Sequence, residues 1–348
     1  MKNRILILLV LITHLLFAQS KKRIVEELHL PDPTQVISGC SYNGIKLQDI
    51  RTNPGDFGIV KKGLSDRKAE IAFSPGFEQQ LSEMFKKGID PSSVKDQELL
   101  LQLRAMNYME TTINMVQYGY FTFRGLLFGG RENQYQLIKK MDTTLVVFNV
   151  DVTKELEKRS LDYIRKAVFE AAVEKPVSQR MYTADDINNY DKIAKSALPL
   201  YTHPKLTDGI YRSYHAFSRQ VPDQPISEIQ VDLGMITKAS YVDQNGKKKN
   251  AKEDSYAIVN QGKAYVFCDG ELYPMRRMAE DFYFIAKTDP SPKPERQLRS
   301  AMTGIVFGGI AGGAVGYFFP KNKRKSYECK LDYFNGKYEM VREIESLK

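Results

Sequence analysis

YGYFTFRGLLFGGRENQYQLIKKMDTTLVVFNV, residues 118–150, decides the fold class. Its runs of Tyr, Phe, Leu, Val and Thr suit a pleated, half-buried surface, and glycine punctuates them. Residues 118–128 and 134–150 therefore read as two long strands joined around Gly129-Gly130. Directly afterwards Leu156, Ile164, Val168 and Ala172 recur along one face of a helix over 154–173, with Pro176 beyond it. Long strands followed by one amphipathic helix predict an α+β domain.

Upstream, 23–30, 44–50, 57–61 and 70–73 read as short strands, separated by turn formers such as Asn43-Gly44 and Asn53-Pro54-Gly55. Phe77, Leu81, Met84 and Phe85 fall at helical spacing before Gly88 and Pro91. Leu99, Leu101, Leu103 and Ala105 alternate as in a half-buried strand. This predicts an α+β domain over 21–176.

Downstream, 177–200 is polar and aperiodic and reads as a linker. Residues 201–287 predict a β-rich domain, a small barrel or sandwich. Ile229, Val231, Leu233 and Met235 alternate, 256–259, 264–268 and 282–286 are strand-like, and Asn245-Gly246, Gln261-Gly262 and Asp269-Gly270 are hairpin signals. A proline-spaced linker over 288–300 follows, beginning TDPSPKPE. After it come an uncharged glycine-rich segment over 301–319, then a basic cluster and a terminal hairpin over 320–348 turning at Asn335-Gly336.

The first residues have the three parts of a secretory signal: Lys2 and Arg4, an apolar run from Ile5 to Phe17, and the small Ala18. Cleavage after residue 18 gives an exported protein of the periplasm or cell envelope, with its formal charge lowered from +9 by loss of those two basic residues. The first cysteine is Cys40, too far from the cut for a lipid anchor there. The remaining basic excess is spread along the chain, and nucleic acid is not an expected partner. Three cysteines leave an odd count in an oxidising compartment. One bridge is allowed, with Cys268 to Cys329 the preferred pairing, and the alternative is three buried thiols.

Gly304, Gly308, Gly312 and Gly316 lie four apart, one stripe of a helix, with Gly309 and Gly313 beside them. Such a stripe lets another helix approach closely. Six interior glycines cost about 6 kcal/mol relative to alanine, so this helix needs lipid, a partner helix or the protein body. The segment resembles the glycine zippers of bacterial envelope proteins, which implies packing in or at a membrane, or self-association. Nineteen residues rise ~28 Å, enough to span a hydrocarbon core, with the basic cluster after Pro320 then on the cytoplasmic side. A helix packed within the soluble protein is the other reading.

Few residues offer chemistry. His203 and His215 flank Asp208, the one place where a metal or acid/base site is conceivable, but the spacing matches no zinc-hydrolase motif. There is no nucleophile elbow, phosphate loop or dinucleotide fingerprint, and no cofactor is implied. Asp243-Gln244-Asn245-Gly246 opens like a calcium loop, yet lysines fill the later ligand positions, so a turn is expected. The tyrosines and phenylalanines of 118–123 and 281–284 predict core packing, with a carbohydrate-binding platform as the sharper reading.

DGIYRSYHAF at 208–217 and GKAYVFCDGELYPM at 262–275 resemble a pattern in uncharacterised exported envelope proteins of the Bacteroides type, which carry a late Gly/Ala-rich segment and a short hairpin. The resemblance implies an envelope location. The sequence therefore predicts a non-enzymatic envelope protein that docks in a membrane or an assembly through its glycine segment. An exported hydrolase around His203, Asp208 and His215, or a carbohydrate- or peptide-binding module, are the alternatives.

Overall fold

The computed structural model describes residues 23–62, 67–113, 116–149, 151–252, 254–288 and 325–344. The secretory signal and the stripe of Gly304, Gly308, Gly312 and Gly316 lie outside the described residues. The chain divides into two units, Met1–Ala184 and Asp185–Lys348. The fold class is α+β, as expected.

Among the described residues the first unit is one large sheet with two long helices. Its strands are β1 (Val25–Leu28), β2 (Ile45–Asp49), β3 (Gly58–Lys62), β4 (Arg67–Phe73), β5 (Glu98–Ile113), β6 (Val116–Arg131), β7 (Gln134–Asn149) and β8 (Met181–Tyr182). They run in the order β1-β4-β3-β5-β6-β7-β8, and β2 pairs alongside β5. β5, β6 and β7 form an antiparallel meander of 16-residue strands. Helices α1 (Phe77–Lys87) and α2 (Thr153–Val173) cover one face of the sheet. Leu81 and Phe85 of α1 and Leu156, Ile164 and Val168 of α2 are buried in one cluster with Leu101, Tyr108, Phe121 and Phe123. Each such aromatic or aliphatic side chain stabilises by roughly 1.5–3 kcal/mol on burial.

A register shift between Leu103 and Ala105 gives β5 an extra residue. Leu99, Leu101 and Leu103 point into the core ahead of it, and Met106 and Tyr108 do so behind it. Because side chains alternate with period 2, one inserted residue exchanges the faces. The alternation read through Ala105 thus ends one residue early. The glycines 129 and 130 are not the turn between β6 and β7. They are in β6, and the turn is Glu132-Asn133, with φ of 47° and 66°.

The stretch read as an irregular linker is structured. β8 pairs with the start of β7, and α3 (Ala184–Asn188), α4 (Tyr190–Ser196) and α5 (Pro199–Thr202) follow. Elements of two to seven residues are too short to show a period, which is why the sequence pattern missed them.

The second unit stacks three small sheets. The middle one has the order β15-β14-β13-β9, with β9 (Gly209–Tyr211), β13 (Ala257–Asn260), β14 (Lys263–Cys268) and β15 (Glu271–Pro274). A second contains β10 (Glu228–Asp232), β11 (Met235–Val242) and β12 (Lys248–Asn250). The third is β16-β17-β18-β19, from β16 (Arg276–Met278), β17 (Asp281–Thr288), β18 (Lys325–Leu331) and β19 (Tyr338–Ile344). Ala257, Val259, Val266 and Cys268 are buried with Phe282, Phe284, Tyr327 and Cys329, whereas Ile258 and Tyr265 are buried with Ile236 and Tyr241. The middle sheet is therefore buried on both faces, and its strands read as continuous apolar runs rather than alternating ones. A short helix, α6 (Tyr214–Arg219), adds Phe217 to the larger cluster.

The single strand expected through Ile229, Val231, Leu233 and Met235 is instead a hairpin, turning at Leu233-Gly234 with φ of 47° and 80°. The sequence reading in which the basic tail lies across a membrane from the rest of the protein is corrected as well. β18 pairs with β17 from Tyr283↔Lys330 to Thr288↔Lys325. A strand hydrogen-bonded into this sheet is on the same side as the sheet.

Candidate functional site

Thr288 and Lys325 are direct cross-strand partners at the open end of the β17–β18 ladder. The chain between them, 289–324, contains the glycine segment. The glycine segment thus falls in sequence between two strands of one antiparallel ladder, whose nearest residues, Thr288 and Lys325, are partners.

Ion pairs tie β17 and β18 into their surroundings along the whole ladder. The Asp281 carboxylate meets Lys195 at 2.5 Å and Lys330 at 2.9 Å. Burial works to raise the Asp281 carboxyl, but the two ammonium groups outweigh it and hold it below its ordinary value. Glu328 bridges Arg342 at 2.8 Å and Arg276 at 2.6 Å, tying β18 to β19 and to β16. Lys325, the first residue of β18, pairs with Glu343 of β19 at 2.8 Å. Charge-assisted bonds of this kind are shorter and stronger than neutral ones.

Tyrosine hydroxyls hold the turn after β18. Tyr214 donates to the Tyr333 carbonyl at 2.6 Å, and Tyr256 donates to that of Gly336 at 2.7 Å. Tyr338 donates to the Phe267 carbonyl at 2.9 Å. Burial drives the Tyr256 and Tyr338 hydroxyls well above their ordinary values, so both stay neutral donors. The Asn335-Gly336 turn anticipated in sequence is present, with Gly336 at φ 75° and the Tyr214 ring against it.

His203 and His215 are exposed, and the Asp208 carboxylate accepts from the Gly262 backbone N–H at 2.8 Å, bracing the β13–β14 turn. Among the described residues no group of three or more His, Cys, Asp and Glu is placed to hold a metal ion. Asp243 caps a turn, accepting from the Asn245 and Lys247 N–H groups at 2.9 Å each, as the lysines of that loop suggested.

The Cys268–Cys329 bridge is not formed. Cys329 is a free thiol, and burial pushes it up to about 11, away from reactive thiolate. Cys268 and Cys329 lie on different sheets that share a core. Cys40 is fully buried, and burial raises its thiol as well.

The aromatic runs pack rather than present a platform. Phe121, Phe123, Phe282 and Phe284 are buried in the cores, although Tyr118 does stack on half-exposed Phe148 with ring centroids 6.3 Å apart.

One cluster escaped sequence reading altogether. Glu26 of β1, Glu110 of β5 and Glu157 of α2 are all buried. Lys62 pairs with Glu26, and Lys154 reaches Glu26 at 3.6 Å and Glu157 at 3.5 Å. Burial, above all, raises the Glu110 and Glu157 carboxyls, and each has an Oε1 with no partner among the described residues. These three glutamates are 47 to 131 residues apart along the chain. The β1-β4-β3-β5 order, with α2 packed on the sheet, brings them together.

No family model matches the chain, and no curated protein matches it. Among solved structures, a Xanthomonas campestris protein of family DUF330 is similar at 7% identity, over 42% of this chain and 91% of that one. Its TM-score is 0.27, a likeness too slight to bear on function.

Proposed function

We propose that the protein is an exported, non-enzymatic component of the cell envelope, docked to a membrane or an assembly by the 289–324 insertion. The pairing of Thr288 with Lys325 supports this reading most, because the sheet is completed by the strands that flank the glycine segment. The β17–β18 ladder has no need of 36 residues, since two suffice to close a hairpin. A segment of low helix propensity kept there without fold-level need points to a partner that stabilises it.

Docking in this form is not a simple span. A straight crossing by 301–319 would leave 320–324, which includes Lys321, Lys323 and Arg324, to return through the membrane. Five extended residues reach ~17 Å, short of a ~30 Å hydrocarbon core. The docking proposed here is therefore along an interface, by entry and exit on one side, or against a partner's helix. No helix among the described residues is long and apolar enough to cross a membrane.

The test replaces 289–324 by Asn-Gly in the otherwise complete protein. The expected product is folded but released from membranes, or reduced to a monomer if the native protein is an oligomer. Identical fractionation and identical size for the two proteins would refute the proposal.

A further inference from the structure

The end of the large sheet where β6 turns into β7 encloses a half-open cavity of about 400 Å³. That size is within the range of small-molecule sites, about 300–1,000 Å³. Its floor includes Gly129 and Gly130, and Ser41, Tyr42, Gln97, Gln134 and Gln136 contribute polar lining. Val173, Pro176 and Met181 contribute apolar lining, and Arg131 and Lys175 complete it.

The floor is built from a specific close approach. Tyr42 is only 7% exposed, and its ring lies over Gly129. A Cβ at position 129 would sit 2.4 Å from the Tyr42 Oη, so only glycine fits there. Tyr42 lines the cavity, and burial raises its hydroxyl, so it stays a protonated donor.

The side-chain amides of Gln97 and Gln134 are unengaged among the described residues. Each amide offers donors and an acceptor in one plane, a match for neighbouring hydroxyls on a ring. The two cations are poor anchors for a free anion. Arg131 is largely exposed and stands 3.8 Å from Asp96, and Lys175 is exposed, so both act through water of high dielectric. The lining acid, Glu174, is already held by Lys139 at 2.6 Å. Neutral planar amides and hydroxyls beside an apolar patch suit a molecule with a hydroxylated rim and an apolar ring face. We infer that this cavity binds a short saccharide, with Tyr42, Gln97 and Gln134 contacting its hydroxyls.

Ligand-observed NMR and calorimetry on the complete mature chain test this, using N,N′-diacetylchitobiose, maltose and lactose up to about 10 mM. At least one sugar is expected to bind saturably. Loss of two hydrogen bonds in the double variant Gln97→Ala/Gln134→Ala should weaken it about tenfold or more. Tyr42→Phe keeps the ring over Gly129, removes only the hydroxyl, and should weaken binding about threefold to tenfold. Gln134 is exposed, so Gln134→Ala alone carries the test if the double variant misfolds. The inference is overturned if none of the three sugars binds, if the variants leave binding unchanged, or if trialanine occupies the site in preference to sugar. None of these outcomes depends on the glycine segment, so the docking proposal stands or falls separately.

Discussion

The β6–β7 and β17–β18 hairpins are built alike and closed in opposite ways. The first runs from Gln117↔Asn149 to Arg131↔Gln134 and turns on two residues, Glu132 and Asn133. The second runs from Tyr283↔Lys330 to Thr288↔Lys325 and is joined by 36 residues of chain. Its ladder has no register shift, whereas the tightly closed one has a bulge between Leu127 and Phe128. Good pairing without a tight turn shows that β17 and β18 are held by the sheet, through β16, β19, Asp281 and Glu328. The long connection costs the fold closure entropy, about 0.6 kcal/mol for each doubling of length.

The comparison is broken most severely at the neighbouring turn. Gly336 has φ 75°, and a Cβ there would lie 2.2 Å from the Tyr214 ring. Gly336→Ala should cost about 3 kcal/mol or more, enough to detach β19 and then β18, visible as a lowered urea midpoint. Replacing 289–324 by Asn-Gly works the other way. Shortening the closure should raise stability by about 2 kcal/mol, and a rise in melting temperature with unchanged circular dichroism would show it.

Smaller effects are expected in the first unit. Glu157 is buried with its Oε1 unpartnered, and its carboxyl is raised by burial, against the pull of Lys154. A carboxyl raised on folding stabilises below its unfolded pKa of about 4.3, and that contribution is lost as pH rises through the folded value. Glu110 acts in the same sense. Glu157→Gln should therefore stabilise at neutral pH and flatten the loss of stability as pH rises above about 4.3 in urea titrations. The smallest change is at the tight turn itself. Glu132 adopts φ 47°, a conformation asparagine tolerates better, so Glu132→Asn should add about 0.5 kcal/mol in the same assay.

What the sequence disclosed follows the range of each interaction. α2 and the long strands were legible because Leu156, Ile164 and Val168, and the runs of β6 and β7, repeat a period over many residues. The turns at Asn245-Gly246, Gln261-Gly262 and Asn335-Gly336 were legible from their own dipeptides. The bulge at Arg104 and the Leu233-Gly234 turn were not, since a single residue decides each and no period marks it. The cavity was invisible for another reason. Tyr42, Gln97 and Gly129 meet only through the parallel pairing of β2 with β5 and the antiparallel pairing of β5 with β6. The hint in the sequence was Gly129-Gly130 inside a strand, where glycine marks a close approach. The return of 325–344 to the sheet was legible as a hairpin, but its partner strand lies across 36 residues of different character.

The central claim is that the 289–324 insertion serves docking and not the fold. Membrane fractionation of the exported chain beside its Asn-Gly replacement tests it most directly, with circular dichroism run on both. The account predicts that the native protein stays with membranes or a large assembly after a high-salt wash, while the replacement is folded and released as a monomer. A replacement that unfolds, or that fractionates with the native protein, would contradict it.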